Sequence, residues 1–251
     1  IEHSVLCGSK KFPIKDPFLQ LRNQSINTYL NAYTAKDRTV FPASSLIKTD
    51  YFNLMSVYAD AVFFPILNAE TFLQEGWRIE TDQNGNPIIQ GVVFNEMKGN
   101  YSSFNSVATD VVLNASVLGT GYEKDSGGDP LEIPTLTYEQ FKEFHKKYYC
   151  AANCLVFLYG NIPTEEQLDF LDENVIKNIK SSGKKYSFAS ENSFVKMKKR
   201  IDAFGPAEDS KNTTAVVWKI GDSAEKENLF SLPMEISFLS ELLLEIGRAH
   251  V

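Results

Sequence analysis

Apolar residues recur at helical spacing in several parts of the chain, and these parts predict helices. The clearest stretch runs from Asp50 to Phe63, where Leu54, Tyr58 and Ala61 fall on one face. We also expect the end of a helix over residues 1–8, with Gly8 as its C-cap. The other predicted helices are Phe18–Tyr29, Ala69–Gln74, Phe94 to about Leu113, one that begins at Thr137, and Thr164–Ile179.

Shorter stretches alternate between apolar and polar residues or are wholly apolar, and these predict strands. The Asn84-Gly85 step is a hairpin signal that joins two of them. The predicted strands are Asn31–Pro42, Arg78–Thr81, Ile88–Val93 and Cys154–Tyr159.

A change in composition at residues 181–185 suits a linker between two domains. We therefore predict a first domain over 1–180, followed at 181–244 by the linker and the start of a second domain. Strands at 196–201 and 213–220 and a helix from Leu239 to Leu244 would open that second domain. Residues 245–251 resemble the translation of a DNA-sequencing adapter, so we expect a fragment that is truncated at both ends, and His250 receives no role.

The 251 residues carry a net charge of −7 and 43% apolar residues, enough for one large or two modest domains. This acidity argues against a nucleic acid or an anionic membrane as partner. No apolar run reaches the length of a membrane span. The three cysteines, Cys7, Cys150 and Cys154, form neither a disulfide framework nor a zinc-ribbon pattern.

The first residues carry the candidate chemistry. Glu2-His3 matches the second half of the inverted zinc-peptidase motif H-x-x-E-H. In that motif the two histidines lie one helical turn apart and point at one metal, and the glutamate can take a proton from a metal-bound water. The first histidine would precede Ile1 by two residues. On its own, the dipeptide Glu2-His3 is more often an ordinary exposed helix end.

Further motifs follow in a fixed order and make the match specific. Together with the first residues they resemble the pitrilysin/insulinase clan of zinc peptidases, and within it the presequence protease subfamily. The resemblance is dense over residues 1–170 and looser beyond. The matching segments are Glu2–Pro13, Lys15–Phe18, Asn31–Thr34, Gln74–Arg78, Gly91–Gly99 and Asp125–Pro130.

The resemblance implies roles for particular residues. Glu2 would be the general base, and His3 and Glu96 would be zinc ligands, with one Zn²⁺ per catalytic domain. Glu75 would orient a ligand as an outer-shell carboxylate, although an ordinary helix-end glutamate is as good an interpretation. Asn31, Ala32 and Tyr33 would form the edge strand that binds the peptide substrate, with an ordinary buried strand as the alternative. His145 is interpreted as a surface or packing histidine.

The resemblance also implies a fold and a function. The expected fold is α+β, with helices on a mostly antiparallel sheet. The expected activity is hydrolysis of unfolded peptides, with the C-terminal half of the same full-length chain as a further partner; the fragment alone should be inactive. The compartment would be the bacterial cytoplasm, or the mitochondrial or plastid matrix in a eukaryote. A non-catalytic structural member and a peptide-binding member without hydrolysis are the alternatives.

Overall fold

The computed structural model describes residues 1–117, 120–179, 183–186, 237–239 and 241. Helices and short antiparallel strand pairs make up this part of the chain. The α-helices are α1 Glu2–Val5, α2 Pro17–Gln24, α3 Lys48–Phe63, α4 Ala69–Thr71, α5 Val92–Tyr101, α6 Phe104–Ser116, α7 Tyr138–Tyr148 and α8 Thr164–Asn174. A π-helical turn, Phe72–Gly76, continues α4, and short 3₁₀ turns cover Gly121–Glu123, Ile133–Thr135, Ala151–Asn153 and Ile176–Asn178.

The described strands form three separate two-stranded antiparallel sheets. These strands are β1 Asn27–Leu30, β2 Tyr33–Thr34, β3 Thr39–Val40, β4 Ala43–Ser45, β5 Arg78–Thr81 and β6 Pro87–Gln90. β1 pairs with β4 and β2 with β3, and the bond from Asn31 N–H to the Pro42 carbonyl continues the ladder between the two pairs. Residues 27–45 therefore form one long hairpin, and β5 and β6 form a second one.

Helix α3 anchors the long hairpin. Its buried residues include Leu54, Tyr58 and Ala61, which recur every three or four positions as the sequence predicted. The Tyr58 hydroxyl donates to the Asn31 carbonyl at 2.8 Å. Burial of a ring of this size stabilises the fold by about 1.5–3 kcal/mol, and the hydroxyl fixes the position of the hairpin.

A second group of buried residues holds α5 in place. Phe94, Met97 and Ile133 form an apolar cluster, and Trp77 packs against it. The Trp77 indole N–H donates to the Leu136 carbonyl at 3.0 Å, so the polar end of this large side chain is also satisfied. The cluster joins the face of α5 to the residues that precede the second hairpin.

Contacts divide the chain into two compact units. The described residues between 1 and 186 belong to the first unit. In the second unit the structure describes Ser237–Leu239 and Glu241, which are helical. In the described part of the chain no helix has the length and apolar character needed to cross a membrane.

Several predicted boundaries were wrong because tertiary pairing overrides local pattern. The predicted helix Phe18–Tyr29 stops at Gln24, since Asn27–Leu30 pairs with the distant strand β4. The first helix ends at Val5, and Gly8 lies beyond it at a positive φ of 126°. The helix predicted from Phe94 is two helices, and the Ser103 side chain caps the second.

The predicted strand Cys154–Tyr159 is also wrong. These residues have no regular secondary structure, and Leu155 and Phe157 are 92% and 83% exposed. A strand needs a neighbour to accept its backbone hydrogen bonds, and no described strand pairs with this segment.

The predicted second-domain elements lie almost entirely outside the described residues. The same holds for the segment 245–251, and for Ser181 and Ser182 of the predicted linker.

Candidate metal centre

The candidate site lies around His3, on the first turn of the chain. The Nε2 atom of His3 is 3.6 Å from Oε2 of Glu96, on α5. On the other side of the ring, Nδ1 is 3.4 Å from Oε2 of Glu75, in the π-helical turn. Residues separated by 72 and 93 positions are thus brought to the two nitrogens of one imidazole.

The two carboxylates differ in their surroundings. The side chain of Glu75 is 9% exposed, and the Gln74 amide donates to its Oε1 at 2.8 Å. The side chain of Glu96 is 56% exposed. The buried carboxylate can therefore fix the orientation of the ring, and the exposed one borders open space.

A close backbone approach couples the two elements that carry these carboxylates. Gly91 precedes α5, and Gly76 ends the π-helical turn. A Cβ atom on Gly91 would lie 2.1 Å from the Gly76 carbonyl oxygen, far inside any real contact. Only a glycine at position 91 allows Glu75 and Glu96 to approach His3 in this geometry. π-Helical turns such as this one occur frequently at functional sites.

The charges around His3 shift the pKa of each group. The contact with Glu75 raises the pKa of His3, with burial acting against it and the charges of Glu2 and Glu96 adding to it. The same contact lowers the pKa of Glu75, although burial opposes it. Burial and the Glu75 charge raise the pKa of the Cys7 thiol to about 12. Cys7 is therefore a protonated, unreactive thiol at neutral pH.

Glu2 faces the long hairpin. The Thr34 hydroxyl, at the end of β2, donates to Oε2 of Glu2 at 2.5 Å. Glu2 Oε1 has no hydrogen-bond partner among the described residues. The carboxylate therefore keeps one oxygen for a further ligand while the hairpin holds the other.

The predicted substrate residues directly precede Thr34, and of these Tyr33 lies in β2 while Asn31 and Ala32 come just before that strand. Among the described residues β2 has β3 as its only strand partner, so no described strand pairs with its other edge, and both residues of β2 are exposed. Ala32 lies next to this edge, and its N–H is bonded to the Asn31 side-chain oxygen at 2.9 Å. Tyr33 pairs with Val40 across the hairpin.

The described residues contain no group of three or more His, Cys, Asp or Glu side chains placed to hold a metal ion. His3 and Glu96 are a pair that could supply two ligands. Two donors bound tetrahedrally to one zinc at about 2.1 Å lie about 3.4 Å apart, and the observed separation is 3.6 Å. Glu75 behind the second ring nitrogen completes the carboxylate–histidine pairing that metal-binding histidines commonly show.

His145 lies apart from these carboxylates. Its Nε2 is 2.9 Å from the Val62 carbonyl oxygen, and its ring stacks on Tyr149. It is a packing histidine, as its position in the sequence suggested. Sequence reasoning missed the contacts of Thr34 and Gly91. Both residues lie inside matching motifs, but the contact of Thr34 with Glu2 spans 32 positions and that of Gly91 with Gly76 spans 15.

Comparison with known proteins shows similarity to peptidases. A profile described as "Peptidase M16 inactive domain" matches residues 135–245, after all the candidate site residues in the chain. Protein HypA of Clostridium perfringens is 43% identical over 234 residues, 90% of this chain and 24% of that protein. The mitochondrial presequence protease of Danio rerio is 38% identical over 253 residues, 97% of this chain and 24% of the protease.

The chain thus spans about a quarter of the length of these relatives. In structure it is similar to pitrilysin, with a TM-score of 0.51 and 22% identity over 75% of this chain and 19% of pitrilysin. This likeness confirms the predicted fold class, a mixture of helices and antiparallel strands. The chain is therefore similar to M16 peptidases, in sequence to these relatives and in fold to pitrilysin.

Proposed function

We propose that this chain contributes the catalytic residues of a zinc-dependent endopeptidase that hydrolyses unfolded peptides. The observation that carries the proposal is the placement of His3 between Glu96 at Nε2 and Glu75 at Nδ1. In the proposal His3 and Glu96 bind Zn²⁺, Glu75 orients the His3 ring, and Glu2 is the general base. The third protein ligand is the histidine that the motif places two residues before Ile1.

The residues of this chain would act in a simple sequence. When bound, zinc supplies a water of lowered pKa and polarises the carbonyl of the scissile peptide. Glu2 accepts the proton of the attacking water on its unengaged oxygen and can then deliver it to the leaving amine. Glu75 holds His3 in the tautomer that presents Nε2 to the metal.

The open edge of β2 would hold the substrate. An extended peptide that adds to a strand edge is recognised mainly through its backbone, which suits a broad range of unfolded peptides. Tyr33 lies on this edge, with Asn31 and Ala32 just before it, and the next residue is the threonine that touches Glu2. A peptide paired there would run directly past the proposed base.

A structural or peptide-binding role without hydrolysis is the alternative. The match of residues 135–245 to a domain described as inactive favours it. The two functions differ in chemistry and not in fold, because both can keep the hairpin and its open edge. Further domains of the same polypeptide, including a C-terminal half, are proposed as partners in either case. The bacterial cytoplasm or an organelle matrix remains the proposed compartment.

The experiment uses the complete reading frame that contains this chain. We expect about one zinc per protein and cleavage of an unstructured peptide. Glu2→Gln should keep the zinc and lower kcat by about 10²–10⁴-fold, the range for loss of a general base. Glu139→Gln, a change at an exposed glutamate on α7, is the matched control and should cleave normally. Wild-type protein with neither zinc nor cleavage would assign the chain to the non-catalytic class.

A further inference from the structure

The hydroxyl of Thr34 makes a short contact with the proposed base. Its Oγ1 lies 2.5 Å from Oε2 of Glu2, across 32 residues of sequence. Hydrogen bonds from a hydroxyl to a carboxylate are typically about 2.5–2.7 Å long and are about twice as strong as those between neutral groups. The contact joins α1 to the last residue of β2.

A second hydroxyl lies behind the first. Thr39 is opposite Thr34 in the β2–β3 register, and the two side-chain oxygens are 3.3 Å apart. A threonine hydroxyl has one proton to donate. Because a carboxylate can only accept, the Thr34 proton is committed to Glu2, and Thr39 must be the donor to Thr34. The chain of bonds therefore has one direction, from Thr39 through Thr34 to Glu2.

We propose that Thr34 is a positioning residue, which holds the Glu2 carboxylate with its second oxygen turned toward the reacting water. This proposal rests on the proposed function, in which Glu2 is the general base. A glutamate side chain has three rotatable bonds, and Glu2 lies on a helix of only four residues. The bond from Thr34 removes much of that freedom. It also ties the orientation of the base to the strand that would hold the peptide.

The kinetic test uses two substitutions of opposite kind in the complete reading frame. Thr34→Val keeps the shape and removes the hydroxyl, and Thr34→Ser keeps the hydroxyl and removes the methyl group. We expect Thr34→Val to lower kcat on the order of 10-fold with KM nearly unchanged, because orientation of the base matters only in the transition state. Thr34→Ser should retain most of the wild-type kcat.

Other kinetic results would overturn the proposal. A raised KM at unchanged kcat in Thr34→Val would assign Thr34 to the peptide-binding edge. Wild-type kcat in Thr34→Val together with a loss in Thr34→Ser would mean that the methyl group matters and the hydroxyl does not.

Thermal unfolding tests the hydrogen bond without any assay of activity. In this chain Thr34→Val should lower the midpoint by roughly 2–4 °C, and clearly less when Glu2→Ala is already present. An equal shift in both backgrounds shows that no such bond exists, and it overturns the proposal whether or not the protein is a peptidase. If the bond is present but the wild type cleaves no peptide, the proposed function has failed, and the bond is structural only.

Discussion

The surroundings of His3 and His145 show how one residue type takes two different roles in this molecule. Three carboxylates surround His3, and the contact with Glu75 raises its pKa. His145 instead meets a backbone carbonyl and an aromatic ring, and burial lowers its pKa. A histidine among carboxylates has acidic neighbours that can share a cation with it, whereas a histidine against apolar groups contributes by packing.

Beside His3, the carboxylates of Glu75 and Glu96 also differ from each other in burial. Glu75 is buried beside Nδ1, where it can orient the ring but has little space for a metal ion. Glu96 is more than half exposed beside Nε2, where a metal and its water can be reached from solvent. Substitutions at the two positions test whether Glu96 binds the metal and Glu75 orients the ring.

The largest effect is expected for zinc binding when Glu96 is replaced. In the complete reading frame Glu96→Gln should weaken zinc affinity by more than about 100-fold, because it replaces an anionic ligand with a neutral amide. Glu75→Gln should weaken it by about 10–100-fold, the range for a group that orients a ligand. Competition with a zinc chelator of known affinity measures both. The reverse order of the two losses would show that Glu75 is the ligand and Glu96 the supporting group.

The next effect concerns the backbone contact that fixes the two carboxylates around His3. Gly91→Ala should lower the free energy of unfolding by about 3 kcal/mol, because the new Cβ would overlap the Gly76 carbonyl and force the backbone apart. Gly99→Ala is the matched control on the same helix, since its Cβ would meet open space. There alanine should stabilise the protein by up to about 1 kcal/mol. Denaturant unfolding of this chain measures both changes, and equal effects would show that the close approach at Gly91 is relaxed.

The sequence predicted the parts of this fold that depend on local patterns. The period of α3, the Asn84-Gly85 hairpin and the start of α7 at Thr137 rest on short-range chemistry, and the structure contains all three. The boundaries that were wrong depend on distant partners. Residues 27–29 were predicted to continue a helix but pair with β4 instead, and no local pattern encodes that pairing.

The candidate site was predictable as a set of residues and not as a geometry. Resemblance to a family gave Glu2, His3, Glu75 and Glu96, and the structure brings His3 between two of these carboxylates. The remaining features require positions in space. In the sequence Thr34 is an ordinary strand residue. Its hydroxyl reaches Glu2 on α1 only in the folded chain. The roles of all these residues remain predictions.

The smallest effect is expected at His145 and appears as a dependence on pH. Because burial lowers the pKa of this histidine, the unfolded chain binds a proton at a higher pH than the folded chain does. The contribution of neutral His145 is therefore complete above the unfolded pKa of about 6.5, and it is lost as the pH falls from there toward the folded value. The sign is opposite for His3, whose pKa is raised, so wild-type chain alone would show the sum of the two.

A substitution separates the two histidines. His145→Gln keeps an amide that can donate to the Val62 carbonyl but removes the titration, and it leaves His3 unchanged. Between pH 7.5 and pH 5.5, urea unfolding should therefore show a larger loss of stability in the wild-type chain than in His145→Gln. The same loss in both proteins would mean that His145 takes up its proton as easily when folded as when unfolded, and the contrast between the two histidine sites would then rest on His3 alone.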